Sequence, residues 1–276
     1  MTALMAALIA MSSTAKETPA TALNEAEQSG QLPSPAHNVA LITGAARRIG
    51  AAIATELHRR GYRVIIHYRN SAAEARQLTA SLNAIRADSA RCIKGNLQSQ
   101  DEAETLAGAA ISQWGQIDAL INNASSFYPT PMGSATESDW DALIGSNMKG
   151  PFFLSQALAP ALGKQRGCIV NIVDIFAKQA LSEHPLYCMA KAGVAMMTTS
   201  LARELAPSVR VNGVAPGAIL WPEPAPSASQ KQAMLDKIPL QTLGSSQDIA
   251  TTVAFLVADA PYISGQILAV DGGLSQ

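Results

Sequence analysis

A tyrosine and a lysine lie one helical turn apart at Tyr187 and Lys191, within the segment YCMAK. On a helix, this spacing places the two side chains on one face. A phenol with an ordinary pKa of about 10 exchanges protons poorly at neutral pH, and a neighbouring ammonium group lowers that pKa because it stabilises the phenolate. The pair therefore predicts an acid–base centre in which Tyr187 transfers a proton and Lys191 lowers its pKa. The alternative is a chance pattern on an ordinary helix.

A glycine-bearing turn, TGAARRIG (43–50), follows the apolar run NVALIT (38–43) and precedes a helical pattern. Gly44 allows the chain to turn tightly and to approach a pyrophosphate. The N-terminus of the following helix supplies free N–H groups and the positive end of the helix dipole. The segment therefore predicts a dinucleotide-binding turn, and an ordinary tight turn is the alternative.

The second predicted strand ends in HYRNS (67–71), which contains no acidic residue. An enzyme that uses NAD usually has an acid here to bind the ribose diol. The Arg69 guanidinium and the Ser71 hydroxyl instead suit a 2′-phosphate, so we predict NADPH rather than NADH. The alternatives are a solvated Arg69 and a Ser71 that only caps the next helix, with Glu74 as its capping-box partner.

Two consecutive asparagines occur in NNAS (122–125), at the end of the fourth predicted strand. Their amide groups can tie neighbouring loops together while the backbone stays close to a cofactor. An Asx turn is the simpler alternative.

Strand and helix patterns alternate along the chain from position 38 onward. This alternation predicts an α/β fold, a single-domain Rossmann fold with a doubly wound parallel seven-stranded sheet. The strands are predicted at 38–43, 63–68, 90–95, 118–124, 167–173, 209–216 and 266–270. Residues 12–37 are rich in Ala, Ser, Thr, Pro and Glu and contain few large apolar groups. We therefore predict that residues 1–37 form a disordered tail before a domain that covers 38–276.

Composition excludes several classes of protein. The net charge is −1, so no basic surplus is available for nucleic acid. Residues 3–11 are apolar, but they are too few to span a bilayer and follow no basic residue, so we expect no membrane association. Cys92, Cys168 and Cys188 are widely spaced, which argues against disulfides and a metal site and favours a cytoplasmic protein.

Residues 38–274 resemble the short-chain dehydrogenase/reductase family. The resemblance rests on the order and spacing of TG at 43–44, NNA at 122–124, Asn147, YxxxK at 187–191 and PG at 216–217. It implies a tyrosine acid, a lysine that also holds the nicotinamide ribose, an Asn147 that holds a proton-relay water, and a homotetramer.

Three departures from the usual family pattern are informative. Arg48 replaces the second glycine of the turn, Ser125 replaces the last glycine of NNAG, and Asp174 replaces the catalytic serine. Together with SSFYPTP (125–131) and HYRNSAAEA (67–75), these residues are similar to the pteridine reductase branch of the family. The resemblance implies a pterin substrate.

The chemistry of these residues favours the same branch. An ionised Asp174 would repel the oxyanion that forms when a ketone is reduced, whereas a serine would donate to it. The carboxylate suits the amino-pyrimidine edge of a pterin or the protonation of a ring nitrogen through Tyr187. Phe127 offers a flat face for stacking, and Arg48 can reach a phosphate and a bound ring. The alternatives are a structural cap for Asp174 and core packing for Phe127.

We therefore predict an NADPH-dependent pteridine reductase that acts on a small-molecule pterin. The alternatives are a carbonyl (3-ketoacyl-type) reductase of the same fold and a non-catalytic NADPH-binding sensor. The predicted catalytic residues are Asp174, Tyr187, Lys191 and Asn147. The predicted substrate-binding residues are Arg48, Ser125, Phe127, Asp174 and Tyr187. The predicted cofactor-binding residues are Gly44, Arg48, Ile49, Tyr68, Arg69, Asn70, Ser71, Asn96, Leu97, Asn123, Ala124, Ser125, Tyr187, Lys191, Pro216 and Gly217.

Overall fold

A parallel sheet of seven strands runs through the domain, in the order β3-β2-β1-β4-β5-β6-β7. The strands are β1 (Val39–Ile42), β2 (Arg63–Tyr68), β3 (Ala90–Lys94), β4 (Ala119–Asn122), β5 (Cys168–Ile172), β6 (Arg210–Pro216) and β7 (Ile267–Val270). The computed structural model describes residues 38–221 and 227–276. The predicted α/β Rossmann fold is confirmed, whereas the predicted tail at 1–37 lies outside the described residues.

Helices cover both faces of this sheet. They are α1 (Arg48–Arg59), α2 (Ala72–Ile85), α3 (Gln100–Trp114), α4 (Glu137–Ile144), α5 (Gly150–Lys164), α6 (Pro185–Glu204), α7 (Ala228–Leu235) and α8 (Ser246–Ala258). A π-helical turn (Gly145–Lys149) joins α4 to α5, and a 3-10 turn (Ile175–Ala177) follows β5.

The two faces of β1 show how the core is divided. Ile42 packs into an apolar cluster that includes Ile53 of α1. Leu41 points to the opposite face, into a cluster that includes Leu106 of α3 and Leu154 of α5. Because successive strand residues point to opposite faces, a strand buried on both sides must be apolar throughout. This explains the uninterrupted apolar sequence of β1.

The order of the strands reverses at the pair formed by β1 and β4. From β1 the chain proceeds outward to β2 and β3, and it then returns to place β4 on the other side of β1. In such sheets the two connections leave in opposite directions and open a crevice at the carboxyl ends of the strands. The glycine-rich turn after β1 and the asparagines at the end of β4 lie at this edge.

The helical stretch from Glu137 to Lys164 is divided by the π-helical turn at Gly145–Lys149. Gly150, which begins α5, packs directly against the backbone of Leu97. A Cβ atom on Gly150 would lie 2.1 Å from the Leu97 carbonyl oxygen. Only glycine allows the helix to approach that backbone so closely. Single π-helical turns occur frequently at functional sites, and this one carries Asn147.

Candidate active site

The glycine-rich turn packs directly against the segment that follows β4. Gly44 has a φ of +61°, and a Cβ atom there would lie 2.9 Å from the Cα of Ala124. A Cβ atom on Gly50 would lie 2.4 Å from the carbonyl oxygen of Gly44 and 2.6 Å from Nδ2 of Asn123. Both positions therefore require glycine. Gly50 was not among the predicted site residues, although it ends the TGAARRIG motif.

The two asparagines after β4 have separate roles. Nδ2 of Asn123 donates to the carbonyl oxygens of Thr43 and Gly44, at 2.8 and 3.1 Å. Asn122 is buried, and its Nδ2 donates to Oδ1 of Asn171 at 2.8 Å. Asn123 thus ties the glycine-rich turn to β4, as predicted, while Asn122 joins β4 to β5.

Arg48 begins α1 with a φ of +53°, in the left-handed region that favours glycine. This conformation explains why the family usually has a glycine at this position. A non-glycine residue there costs about 1–2 kcal/mol. The Arg48 side chain is exposed, and the neighbouring Ile49 is half-buried. The predicted contacts of Arg48 with the cofactor and the substrate stay predictions.

The segment after β2 presents polar groups to solvent. Arg69 and Asn70 are exposed, whereas Tyr68 and Ser71 are half-buried. Ser71 occupies the N-cap position of α2, as predicted, but its side chain makes no capping hydrogen bond, so the predicted capping box is wrong. Glu74, its predicted partner, instead forms an ion pair with Arg47 at 3.5 Å.

Two further predicted cofactor regions lie at the carboxyl ends of β3 and β6. After β3, Nδ2 of Asn96 donates to Oε1 of Glu102 at 2.9 Å, and Leu97 is buried. After β6, the N–H of Gly217 donates to the carbonyl oxygen of Val270 at 3.0 Å. The structure therefore places these residues at the carboxyl edge of the sheet, as the parallel topology requires.

A short hydrogen bond joins Tyr187 to Asp174. The Tyr187 hydroxyl donates to Oδ2 of Asp174 at 2.6 Å, and Oδ1 of the same carboxylate accepts the Phe176 N–H at 3.0 Å. Asp174 thus caps the 3-10 turn with one oxygen and binds the tyrosine with the other. The structural cap is therefore confirmed, and the catalytic role of Asp174 stays a prediction.

The prediction that Lys191 lowers the pKa of Tyr187 is wrong in this arrangement. Burial raises the pKa of Tyr187, and the adjacent Asp174 carboxylate raises it further because it opposes a second negative charge. Burial also raises the pKa of Asp174. Each group therefore holds a proton more firmly than it would in water, and Tyr187 remains an uncharged phenol at neutral pH.

Lys191 is buried beneath this pair. Its Nζ donates to the carbonyl oxygen of Ile172 at 2.9 Å and lies 5.6 Å from the centroid of the Tyr187 ring. Burial lowers the pKa of Lys191 to about 8, although Asp174 opposes this shift. The lysine therefore supplies a positive charge near the Tyr187–Asp174 pair without a direct hydrogen bond to the phenol.

Asn147 fixes the loop that follows β4. Its Oδ1 accepts the Ser126 N–H and its Nδ2 donates to the Ser126 carbonyl oxygen, both at 2.9 Å. These two bonds use both polar atoms of the buried side chain and position Ser125 and Phe127 on either side of Ser126. The relay-water role of Asn147 stays a prediction.

Phe127 is 56% exposed, which excludes simple core packing. Its ring stacks on His184 with centroids 4.6 Å apart and an interplanar angle of 11°. It also meets Tyr187 edge-on, at a centroid distance of 4.8 Å. The Ser125 side chain lies close enough to Tyr187 to lower the pKa of the phenol slightly, against the larger effects of burial and Asp174. His184 was missed at the sequence level, where only its position one turn before Tyr187 could have indicated it.

The structure thus brings Asp174, Tyr187, Ser125, Phe127 and Lys191 into one centre. Arg48 lies in the glycine-rich turn and Arg69 follows β2, and among the described residues neither hydrogen-bonds to that centre. In the part of the chain that the structure describes, no cluster of three or more metal-ligating side chains is found. Within the same residues, no helix has both the length and the apolar character needed to cross a membrane.

Comparisons with known proteins agree with this geometry. A family model described as Enoyl-(Acyl carrier protein) reductase matches residues 44–275. Pteridine reductase 1 from Leishmania tarentolae is 38% identical over 283 residues, covering 88% of this chain and 98% of that protein. The 3-oxoacyl-[acyl-carrier-protein] reductase FabG from Staphylococcus epidermidis is 38% identical over 239 residues, covering 85% and 98%. The 3-oxoacyl-[acyl-carrier-protein] reductase from Synechocystis is 35% identical over 240 residues, covering 86% and 96%.

The fold, the glycine-rich turn and the Tyr–Lys pair define an oxidoreductase that uses a nicotinamide cofactor. The chain belongs to the short-chain dehydrogenase/reductase family. The resemblance predicted from the motifs is therefore confirmed.

Proposed function

We propose that the enzyme is an NADPH-dependent pteridine reductase, which reduces a C=N bond in a pterin or dihydropterin ring of the biopterin, monapterin or folate type. The observation that carries this proposal is the 2.6 Å hydrogen bond from Tyr187 to Asp174. A carboxylate in this position favours protonation of a ring nitrogen over stabilisation of an alkoxide.

The cofactor turn fits a dinucleotide phosphate. An added Cβ on Gly44 or Gly50 would meet backbone atoms within 3 Å, so the turn is shaped by its lack of side chains. The first N–H groups of α1 are free of helical partners by the geometry of any helix N-terminus. Arg69 is exposed where an NAD enzyme would carry an acid, which supports NADPH over NADH. When bound, the reduced nicotinamide supplies the hydride.

Tyr187 supplies the proton, and Asp174 holds the phenol in place. In the free site the Tyr187 hydroxyl donates its single hydrogen to Asp174. When substrate binds, the phenol turns this hydrogen to the ring nitrogen and transfers it there, and the phenolate that forms takes up a proton from solvent. Lys191 adds a nearby positive charge, which limits the cost of the buried carboxylate. A site with these groups can protonate a weakly basic ring nitrogen at neutral pH.

Phe127 provides the binding surface for a planar ring. The ring is largely exposed, and its orientation is fixed by His184 on one face and by Tyr187 at its edge. Ser125 lies beside the Tyr187 hydroxyl. Together they favour a flat heterocycle with donors and acceptors on its rim. Arg48, at the start of α1, is proposed to contact both the cofactor phosphate and the substrate.

A carbonyl reductase that acts on a ketoacyl thioester is the second candidate, because the FabG relatives are as similar as the pteridine reductase. The Asp174 carboxylate argues against it, since it would repel the developing oxyanion. A non-catalytic NADPH sensor is the third candidate. The assembled Tyr187–Asp174 pair argues against it, because binding alone does not require an acid–base centre.

The test is NADPH oxidation with dihydrobiopterin, dihydromonapterin, dihydrofolate and an acetoacetyl thioester, each assayed under the same conditions. We expect turnover of at least one pterin and little turnover of the thioester. Turnover of the thioester alone would establish the carbonyl reductase. NADPH binding without turnover of any of the four would establish the sensor.

We also propose that the enzyme is a homotetramer in the cytoplasm. The exposed Met189 and Met196 on α6, together with Phe152 on α5, supply apolar surface for subunit contacts. The free Cys92, Cys168 and Cys188 suit a reducing compartment. Light scattering measures the assembly directly, and a monomeric mass at assay concentration would contradict the tetramer.

A further inference from the structure

His67 is a buried polar side chain that the proposed mechanism does not use. It lies near the end of β2 with 3% of its surface exposed. Its Nδ1 accepts the Gly44 N–H at 3.2 Å, and its Nε2 lies 3.3 Å from the Gly95 carbonyl oxygen. Its backbone carbonyl oxygen accepts the Ala45 N–H at 2.9 Å. One residue therefore connects the glycine-rich turn, β2 and the end of β3.

The partners of the imidazole define its protonation state. The Gly44 N–H can only donate, so Nδ1 must be an unprotonated acceptor. The Gly95 carbonyl can only accept, so Nε2 must carry the hydrogen. Burial lowers the pKa of His67 to about 4, so the neutral form persists at neutral pH. His67 is thus a fixed donor–acceptor bridge.

We propose that His67 is a positioning residue for the nicotinamide cofactor, and that it acts by holding the Gly44–Ala45 peptide in the conformation that presents the N-terminus of α1. Gly44 is in the left-handed region and can adopt many other conformations when unrestrained. His67 binds both successive N–H groups of this turn, through its side chain and its backbone. The Gly44 and Ala45 N–H groups are therefore already bonded to β2. The N–H groups at the start of α1 remain available to bind the cofactor phosphates.

Gly95 supports this interpretation. A Cβ atom on Gly95 would lie 3.3 Å from Nε2 of His67, which is tighter than ordinary van der Waals contact. The absence of a side chain at Gly95 therefore allows the His67 imidazole to approach the Gly95 backbone. The proposal concerns cofactor binding only, so it does not depend on the identity of the substrate.

The test compares variants that keep or lose the acceptor for Gly44. In His67→Asn, Oδ1 can replace Nδ1, whereas in His67→Gln the amide is one atom further out, and in His67→Leu no acceptor remains. The dissociation constant is measured by nicotinamide fluorescence with whichever of NADPH and NADH binds the unmodified enzyme more tightly. We expect His67→Leu and His67→Gln to raise the dissociation constant about five- to tenfold, which is the change expected from the loss of one neutral hydrogen bond. His67→Asn should bind nearly as tightly as the unmodified enzyme, and kcat at saturating cofactor should change little in all three.

His58→Leu is the matched control. His58 is also a buried histidine of this domain, and its Nε2 pairs with the Ser89 hydroxyl at 2.7 Å, away from the glycine-rich turn. This variant should lower the melting temperature without changing cofactor affinity. The proposal is overturned if His67→Leu binds the cofactor normally, if His67→Asn binds no better than His67→Leu, or if His58→Leu weakens binding equally. A failure of the pterin assay would leave this result unaffected.

Discussion

Asp174→Ser introduces the residue that short-chain reductases usually have at this position. Its effect on kcat/KM is expected to distinguish a pterin substrate from a ketone substrate. The Asp174 carboxylate makes two hydrogen bonds, at 2.6 Å with the Tyr187 hydroxyl and at 3.0 Å with the Phe176 N–H. Serine is a good cap, so its hydroxyl can still accept the Phe176 N–H and preserve the 3-10 turn. The variant should therefore fold and should lack only the charged partner of the tyrosine.

The expected loss follows from that single bond. A hydrogen bond to a charged group is worth about 1.5–3 kcal/mol, which corresponds to roughly tenfold to 150-fold in kcat/KM. If the substrate is a pterin, Asp174→Ser should reduce kcat/KM for it by this factor. If the substrate is a ketone, the same change supplies an oxyanion donor and should preserve or raise kcat/KM. The two hypotheses therefore predict opposite directions for one variant.

The assay measures kcat/KM for dihydrobiopterin and for an acetoacetyl thioester in the unmodified enzyme and in Asp174→Ser. Asp118→Ser is the control, because Asp118 is also a carboxylate whose pKa is raised by burial. Its Oδ2 accepts the Val39 N–H at 2.7 Å, at the amino end of β4 and away from the site. Asp118→Ser should lower the melting temperature and leave kcat/KM unchanged. Unchanged pterin turnover in Asp174→Ser would refute the role given to the carboxylate.

Four further outcomes are expected. His184→Ala should raise KM for the pterin about two- to tenfold, because the stacked pair of His184 and Phe127 contributes about 0.5–1.5 kcal/mol. His184→Phe should restore KM, and equal KM values in the two variants would contradict the stacking role. Arg69→Ala should reduce the ratio of NADPH to NADH affinity by about one to two decades, and an unchanged ratio would exclude Arg69 as the phosphate ligand. Gly50→Ala should lower the melting temperature, because its Cβ would lie 2.4 Å from a carbonyl oxygen, whereas Gly108→Ala, with no atom within 4 Å, should not. The ammonium form of Lys191, with a pKa of about 8, is lost as the pH rises, so kcat/KM should fall above that pH, and a profile that stays flat would contradict this.

The parallel sheet and its functional edge were predictable because both depend on local sequence. An apolar run such as NVALIT indicates a strand buried on both faces, and motifs that follow such runs must meet at one edge. Gly44 and Asn123 could therefore be assigned to the same region before any contact was known. Their observed hydrogen bond follows from this topology.

Interactions that depend on distant partners were not predictable in the same way. The pairing of Asn147 with Ser126 and the stacking of Phe127 on His184 join segments that no local pattern relates. The direction of the Tyr187 pKa was predicted wrongly because the nearby lysine was visible in the sequence, whereas burial and the bond to Asp174 were not. Partners separated by many residues are revealed only when the fold brings them together.

Overall identity does not separate the two substrate classes for this chain, since a pteridine reductase and a ketoacyl reductase are each 38% identical to it. Both reactions need the sheet and the glycine-rich turn, because both use a nicotinamide cofactor. The two substrate classes differ at the atom that receives the proton, which is a ring nitrogen in a pterin and an oxygen in a ketone. Residues beside that atom are therefore expected to distinguish the two classes. There, Asp174 uses one oxygen as a cap and the other to bind Tyr187, and a serine has a single oxygen for these two tasks. The carboxylate therefore preserves the fold of the turn while changing the charge beside the acid, and under the proposed function this charge favours a ring nitrogen over an alkoxide as the proton acceptor.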